Sequence, residues 1–283
     1  MENNPRILLI NPLVKHPVIR RYQCSFNSRY FLFPPLELLY IAGVLKSEGL
    51  TNYKIIDCIA EKITSEKLFF FISGYKPEYI ITLTGFEIFG EDIQTIKKLK
   101  TEFKDTTFIL FGYYPSLFFK KIFDYSNIDY IAAGEPEYRI IDIIKNRETD
   151  FSDGIIKKST KSKSIDYSNL KRITDLDALP MPDYSAIDIS KYSEPFSPRN
   201  FAAIYTARGC AYKCSYCIHS YGGNYIEMSA NSVIKKINFL TDAYNLKRLR
   251  FMDDNFTTNR NRVIEICKGI INSRINNKIS WSC

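Results

Sequence analysis

The chain has 283 residues, 45% of them hydrophobic and 25% charged, so it is globular and long enough for two ordinary domains, each with its own core. The formal net charge of +8 and a pI near 9.0 could suit nucleic acid or an anionic membrane surface, but the lysines are scattered over helix faces rather than gathered in a stripe, so neither partner is expected. Twenty Tyr and twenty Phe accompany abundant Ile, Lys and Asn as a general bias, and do not form a base-stacking platform. The start, MENNPRILLI, lacks a basic region before its apolar run, and the longest apolar stretch, FLFPPLELLYIAGVL, carries two prolines and Glu37 and is too short to span a bilayer. A cytoplasmic protein is expected, and seven cysteines in a reducing compartment argue for metal binding or burial rather than a disulfide framework.

In chain order, residues 6–11 read as a buried strand, and the helix that follows has Pro34 and Pro35 at its start and Gly49 near its end. Next come a strand over 53–57, a helix near 64–73, a strand over 79–83 and a helix around 90–103. A strand over 107–111, a short helix near 116–124, a strand over 129–133 and a final helix in EPEYRIIDIIKN complete the half. Alternation of this kind predicts a parallel sheet covered on both faces, whose ligands bind outside the carboxyl ends of the strands. Asn11 and Pro12, residues 84–86, 112–115 and 134–137 fall at that edge.

From about 148 to 200 the pattern degrades. KKSTKSKS reads as a solvated hairpin turn or linker, and Pro180 and Pro182 would stop either regular element, so this stretch is a connector. A second α/β run begins at AAIYTA (202–207) and continues through a cysteine loop, a helix capped by Ser229 or Asn231, the strand KRLRFMD, a helix and the strand KISWSC. The expected organisation is a domain over 1–147, a connector over 148–200 and a second unit over 201–283.

CAYKCSYC places Cys210, Cys214 and Cys217 on one short loop directly after a strand. Thiolates are the usual ligands of iron–sulfur clusters, and a cubane cluster held by three leaves one iron open to another ligand. Cys267 and Cys283 carry no spacing signature as a fourth ligand. The competing reading is zinc, with His219 completing a Cys3His set, although structural zinc sites usually draw on two separated pairs. Three buried free thiols are the plain structural alternative.

The loop resembles the cluster loop of the radical S-adenosylmethionine (SAM) superfamily, which has three cysteines at this spacing and an aromatic residue before the last, here Tyr216. RFMDDNFTTNRNRVIEIC and ISWSC are similar to the second strand, next helix and third strand of the subgroup with an N-terminal cobalamin-binding domain. ILLINP, FPPLELLYIAGVLKSEG, IIDC and DYIAAGEPE resemble that domain. The resemblance implies a doubly wound, Rossmann-like parallel sheet of the cobalamin-binding type, then the first half of a partial (β/α)6 barrel. It further implies a [4Fe-4S] cluster on the three cysteines, SAM on its open iron, and cobalamin near Thr84, Gly85, Gly112 and Gly134. Tyr216, Asp253 and Asp254 would lie near SAM, while a helix cap is the structural alternative for the two aspartates.

The chemistry implied is reductive cleavage of SAM to a 5′-deoxyadenosyl radical, serving methylation or rearrangement of an unactivated small-molecule or natural-product substrate. An external donor such as flavodoxin or ferredoxin would supply the electron. No general acid or base is singled out. Two departures stand against the pattern. The usual paired glycines and histidine after the fourth strand are replaced by GYYP, with Tyr113 and Tyr114 adding bulk, and no DxHxxG motif is present, so His16 reads as a loop histidine. The run also stops after the third of the barrel's six strands, as a truncated barrel would. A transfer-RNA methylthiotransferase is a related alternative, but it needs three more cluster cysteines where only Cys24 and Cys58 occur. A non-catalytic metal- or corrinoid-binding module is the alternative from another class.

Overall fold

The structure is a computed structural model that describes residues 4–147 apart from 17, 23–24 and 28–30, then 153–160, 170–217 apart from 196 and 198, and 224–283. The first half runs β1 (Ile7–Asn11), β2 (Val18–Arg20), β3 (Ser25–Asn27), α1 (Leu36–Ser47), β4 (Tyr53–Asp57), α2 (Ser65–Tyr75) and β5 (Tyr79–Leu83). It continues through α3 (Phe89–Glu102), β6 (Thr107–Phe111), α4 (Tyr113–Leu117), α5 (Phe119–Ser126), β7 (Tyr130–Ala132), α6 (Pro136–Ile144) and β8 (Ile155–Lys157). The second half holds β9 (Phe201–Ile204), β10 (Ala207–Arg208), β11 (Ile226–Glu227), α7 (Ala230–Tyr244), β12 (Arg248–Phe251), α8 (Arg260–Asn272) and β13 (Ser280–Ser282).

Six strands form one sheet in the order β4-β1-β5-β6-β7-β8. The first five are parallel, and Ile7 of β1 lies opposite both Tyr53 and Tyr79. The chain steps from β1 out to β4 and then back across to β5, so the direction of winding reverses between β1 and β5, the point at which open α/β sheets take their ligands. Alternation along β1 divides the core between its faces: Ile7 and Leu9 join one apolar cluster, Leu8 and Ile10 the other. The second sheet is parallel in the order β13-β12-β9, with Arg248 opposite both Phe201 and Ser280.

Helix α1 explains how the halves meet. Every residue from Leu36 to Leu45 is buried, because the helix packs on β1, α6 and the connector and shares its apolar cluster with β9 and β12. Gly43 is required there: a Cβ would lie 2.0 Å from the Met181 carbonyl oxygen of the connector. The free edge of β9 is closed by two tyrosine hydroxyls. The Tyr184 hydroxyl accepts from the Ala203 N–H at 2.8 Å and donates to the Ala203 carbonyl at 2.7 Å, and the Tyr40 hydroxyl bridges the Tyr205 N–H and carbonyl, each at 3.2 Å.

Three features depart from the sequence expectation. β8 lies inside the predicted connector and adds an antiparallel edge strand, held by two buried isoleucines, Ile155 and Ile156, too brief a run to read as a strand. The helix predicted near 116–124 is two short helices that break at Phe118. The β2–β3 hairpin has no alternating pattern of its own. Among the described residues no helix is long and apolar enough to cross a membrane.

Candidate functional site

The cysteine loop is the middle of a long hairpin. β10 and β11 pair antiparallel over two residues each, Ala207 opposite Glu227 and Arg208 opposite Ile226, and pin its mouth. Gly209 turns the chain at φ +78°, and a Cβ there would stand 2.0 Å from the Asn224 carbonyl oxygen, so only glycine lets the two strands of the mouth approach. Cys210 is half-buried, Cys214 and Cys217 are exposed, and the Cys217 N–H donates to the Cys214 carbonyl at 3.1 Å in a turn. Tyr216 is 90% exposed. His219 lies outside the described residues.

The acidic end of β12 grips the root of this loop. Asp253 accepts from the Thr206 N–H at 2.6 Å and the Ala207 N–H at 2.9 Å through one oxygen, and from the Thr206 hydroxyl through the other. Asp254 accepts from the Gly209 N–H at 3.1 Å. Burial pushes the Asp253 carboxyl above the ordinary carboxylate range, and the bonds from Thr206 and Ala207 oppose that push. From α8, Arg262 donates to the Met228 and Thr206 carbonyls, both at 2.7 Å. Neither aspartate caps α8; Asn259 does, accepting from the Arg262 N–H at 3.2 Å, and Ser229 caps α7.

A buried charged cluster joins the loop root to the other sheet. Arg208, 2% exposed, donates to Glu135, the residue before α6, at 3.0 Å and to Glu137 in the first turn of α6, and its guanidinium lies 5.7 and 5.6 Å from the ring centres of Tyr40 and Tyr205. The Tyr205 hydroxyl donates to Glu37 at 2.7 Å, Glu37 accepts from the Tyr22 N–H at 2.8 Å, and the Tyr22 carbonyl accepts from the Tyr113 N–H at 2.9 Å. The neighbouring Arg21 reaches the Met252 carbonyl at 2.6 Å. Sequence reading placed GEPE at a strand end but left its carboxylates without a role, since a partner some 71 to 73 residues away leaves no trace in one sequence. The only signal was an acidic pair in a segment otherwise apolar.

The residues expected to meet a corrinoid are gathered at the carboxyl edge of the six-stranded sheet, and several have internal partners. Thr84 is fully buried. Gly112 has φ +128°, and a Cβ there would meet the Thr84 carbonyl oxygen at 2.9 Å; Gly134 has φ +73° against Leu170. Gly85 is buried next to Thr84. Beside them Arg20 of the hairpin forms an ion pair with Asp92 at 2.7 Å and donates to Asn11 at 2.8 Å, while Asn11 donates to Asp57 at 2.9 Å. The loops above are apolar: Phe86 is 63% exposed, Leu117 41%, and Tyr114 packs among Phe86, Phe89 and Phe118. This rim suits a large flat ligand better than the glycines beneath it do. His16 is exposed.

Among the described residues, no three His, Cys, Asp or Glu side chains converge at metal-binding distance. The donor set itself fits an iron–sulfur cluster in kind: three soft thiols within eight residues, two of them exposed on a turn.

No family model matches the chain. Aligned over 263 residues, it is 28% identical to a Pyrococcus horikoshii protein named as an uncharacterized methyltransferase, covering 88% of this chain and 54% of that protein. The structure superposes on the cobalamin-dependent S-adenosylmethionine radical enzyme OxsB with aqua-cobalamin bound, at a TM-score of 0.73 and 19% identity over 94% of this chain and 37% of that one. The chain has the fold of the cobalamin-dependent radical SAM enzymes. TsrM from Kitasatospora setae, a radical SAM methyltransferase with cobalamin and a [4Fe-4S] cluster bound, shares this fold at a TM-score of 0.68 and 16% identity, over 99% of this chain and 56% of that one. The chain thus spans about half the length of the curated relative described above and less than two thirds of either solved structure.

Proposed function

We propose that this chain is the cofactor-bearing part of a cobalamin-dependent radical SAM enzyme that methylates an unactivated carbon or phosphorus centre of a small molecule. In this reading residues 1–147 bind the corrinoid, 148–200 connect, and 201–283 carry the cluster loop. The observation that carries the reading is the placement of the cysteine loop: its root is held by Asp253, Asp254 and Arg262 and tied through Arg208 to the strand-end turn of the other sheet. When bound, the cluster supplies the electron that splits SAM into methionine and a 5′-deoxyadenosyl radical, and the corrinoid carries the methyl group.

The chain's own residues have separable tasks. Cys210, Cys214 and Cys217 hold iron. Asp254, exposed next to the loop root, presents a carboxylate for the SAM ammonium, while Asp253 is engaged in fixing Thr206 and Ala207. Tyr216, exposed beside Cys217, would lie against SAM. Thr84, Gly85, Gly112 and Gly134 shape the floor beneath the corrinoid, and Phe86 and Leu117 offer the contact surface. An external electron donor of the flavodoxin or ferredoxin kind completes the reaction.

Anaerobic reconstitution with iron and sulfide tests the assignment. The expected result is a visible cluster absorbance and bound iron, both abolished in a Cys210, Cys214 and Cys217 triple alanine variant. Stoichiometric zinc with no iron after that treatment would overturn it and leave a non-catalytic metal-binding module.

A further inference from the structure

Arg208 is among the largest fully buried side chains of the molecule, yet it is charged and stands two residues before Cys210. Burying a guanidinium is costly unless its charge is matched, and here the match comes from the far sheet, through Glu135 and Glu137. Glu135 follows Gly134 directly, at one of the strand ends assigned to the corrinoid, and Glu137 stands in the first turn of the helix that starts there. A second route leaves the same root: Tyr205 to Glu37, Glu37 to the Tyr22 backbone, and Tyr22 to the backbone of Tyr113, which follows Gly112 at another such strand end. The cysteine loop and two corrinoid-side turns are therefore fastened to one desolvated cluster, with both aromatic rings, Tyr40 and Tyr205, packed on the guanidinium. A planar fork with two acceptors sets distance and orientation, which a lysine's point charge does not.

We propose that Arg208 is a positioning residue that couples the two cofactor sites, so that loading the cysteine loop tightens corrinoid binding on the other sheet, and the reverse. The inference rests on the function proposed above. Coupling of this kind is a free energy shared by both sites, and it is reciprocal. The Arg208 guanidinium meets Glu135, Glu137, Tyr40 and Tyr205, none of which is assigned to either cofactor. A residue that merely holds the fold together would affect stability without changing how one site responds to the other.

The test is equilibrium dialysis of the full chain against hydroxocobalamin, with bound cobalt measured by mass spectrometry, for the cluster-free and the reconstituted protein. In the wild type, reconstitution is expected to lower the Kd by about fivefold or more. In Arg208→Lys the ratio of the two values should fall to about one, with the cluster-free Kd changed by less than about twofold. Glu137→Gln, close in shape and gentler on folding, should lower the ratio as well, and far-UV circular dichroism confirms that both variants are folded. An unchanged ratio in folded variants, or a ratio of one in the wild type, overturns the coupling while leaving the function standing. Failure of the wild type to take up iron or hydroxocobalamin overturns the function, and the coupling with it.

Discussion

Burial sorts the thiols and carboxylates of this chain into reactive and inert. Cys58 is buried after β4, and that burial pushes its thiol up to about 12, whereas Cys214, Cys217 and Cys283 are exposed. Native protein treated with a thiol reagent at mildly alkaline pH should modify the exposed cysteines and leave Cys58 unreacted until denaturant is added; rapid loss of the Cys58 thiol would contradict its placement. Asp57 is fully buried, and burial raises its carboxyl above the ordinary range although Ala60, Tyr192, Asn11 and Ile59 donate to it. The native state then holds this proton more tightly than the unfolded chain. The stability Asp57 contributes is full below about pH 4 and is lost as pH rises through its raised native value. Urea titrations should show that part of the pH dependence missing in Asp57→Asn; identical slopes in the two proteins would refute it.

At the scale of elements, β9 is the informative strand. Its free edge is closed by hydroxyls from α1 and from the connector, not by a neighbouring strand. Tyr184→Phe leaves the Ala203 N–H and carbonyl buried without their partner and should cost about 1–3 kcal/mol, read as a lower urea midpoint at unchanged slope. An unchanged midpoint would mean that another group closes the edge. These elements were partly legible beforehand. Short apolar runs, Pro35 before α1 and Ser229 before α7 placed the regular segments, because each signal is local. β8 and the hairpin were not legible, since each has only three residues per strand, and β8 also pairs with a strand that lies before α6. The cysteine loop announced itself through its spacing; the grip on its root did not, because Asp253 read equally well as a helix cap.

For the molecule as a whole, the apolar cluster that runs from the six-stranded sheet through α1 into the three-stranded sheet makes the two halves a shared core. Within it sits the Arg208, Glu135 and Glu137 cluster. Arg208→Met leaves two buried carboxylates without their counter-charge and should destabilise the whole chain by about 3–5 kcal/mol. Thermal unfolding followed separately in the near- and far-UV should shift together. A transition that splits into two steps in both probes would show that the halves unfold independently. The alternation of strands and helices was enough to foresee two α/β units, but not a common core: the nearly all-apolar α1 reads as a helix buried in one domain, and nothing local shows that its second side faces another.

The two hydroxyls on β9 also give the small sheet a direction. Tyr184 and Tyr40 act as stoppers along one margin, so a strand cannot dock beside β9 without first displacing side chains that belong to the rest of the fold. The opposite margin, along β13, has no such stopper among the described hydrogen bonds. Growth of this sheet is therefore one-sided: any strand that joins it, from whatever source, must enter next to Trp281, and the surface it would enclose is rooted at the cysteine loop from the start.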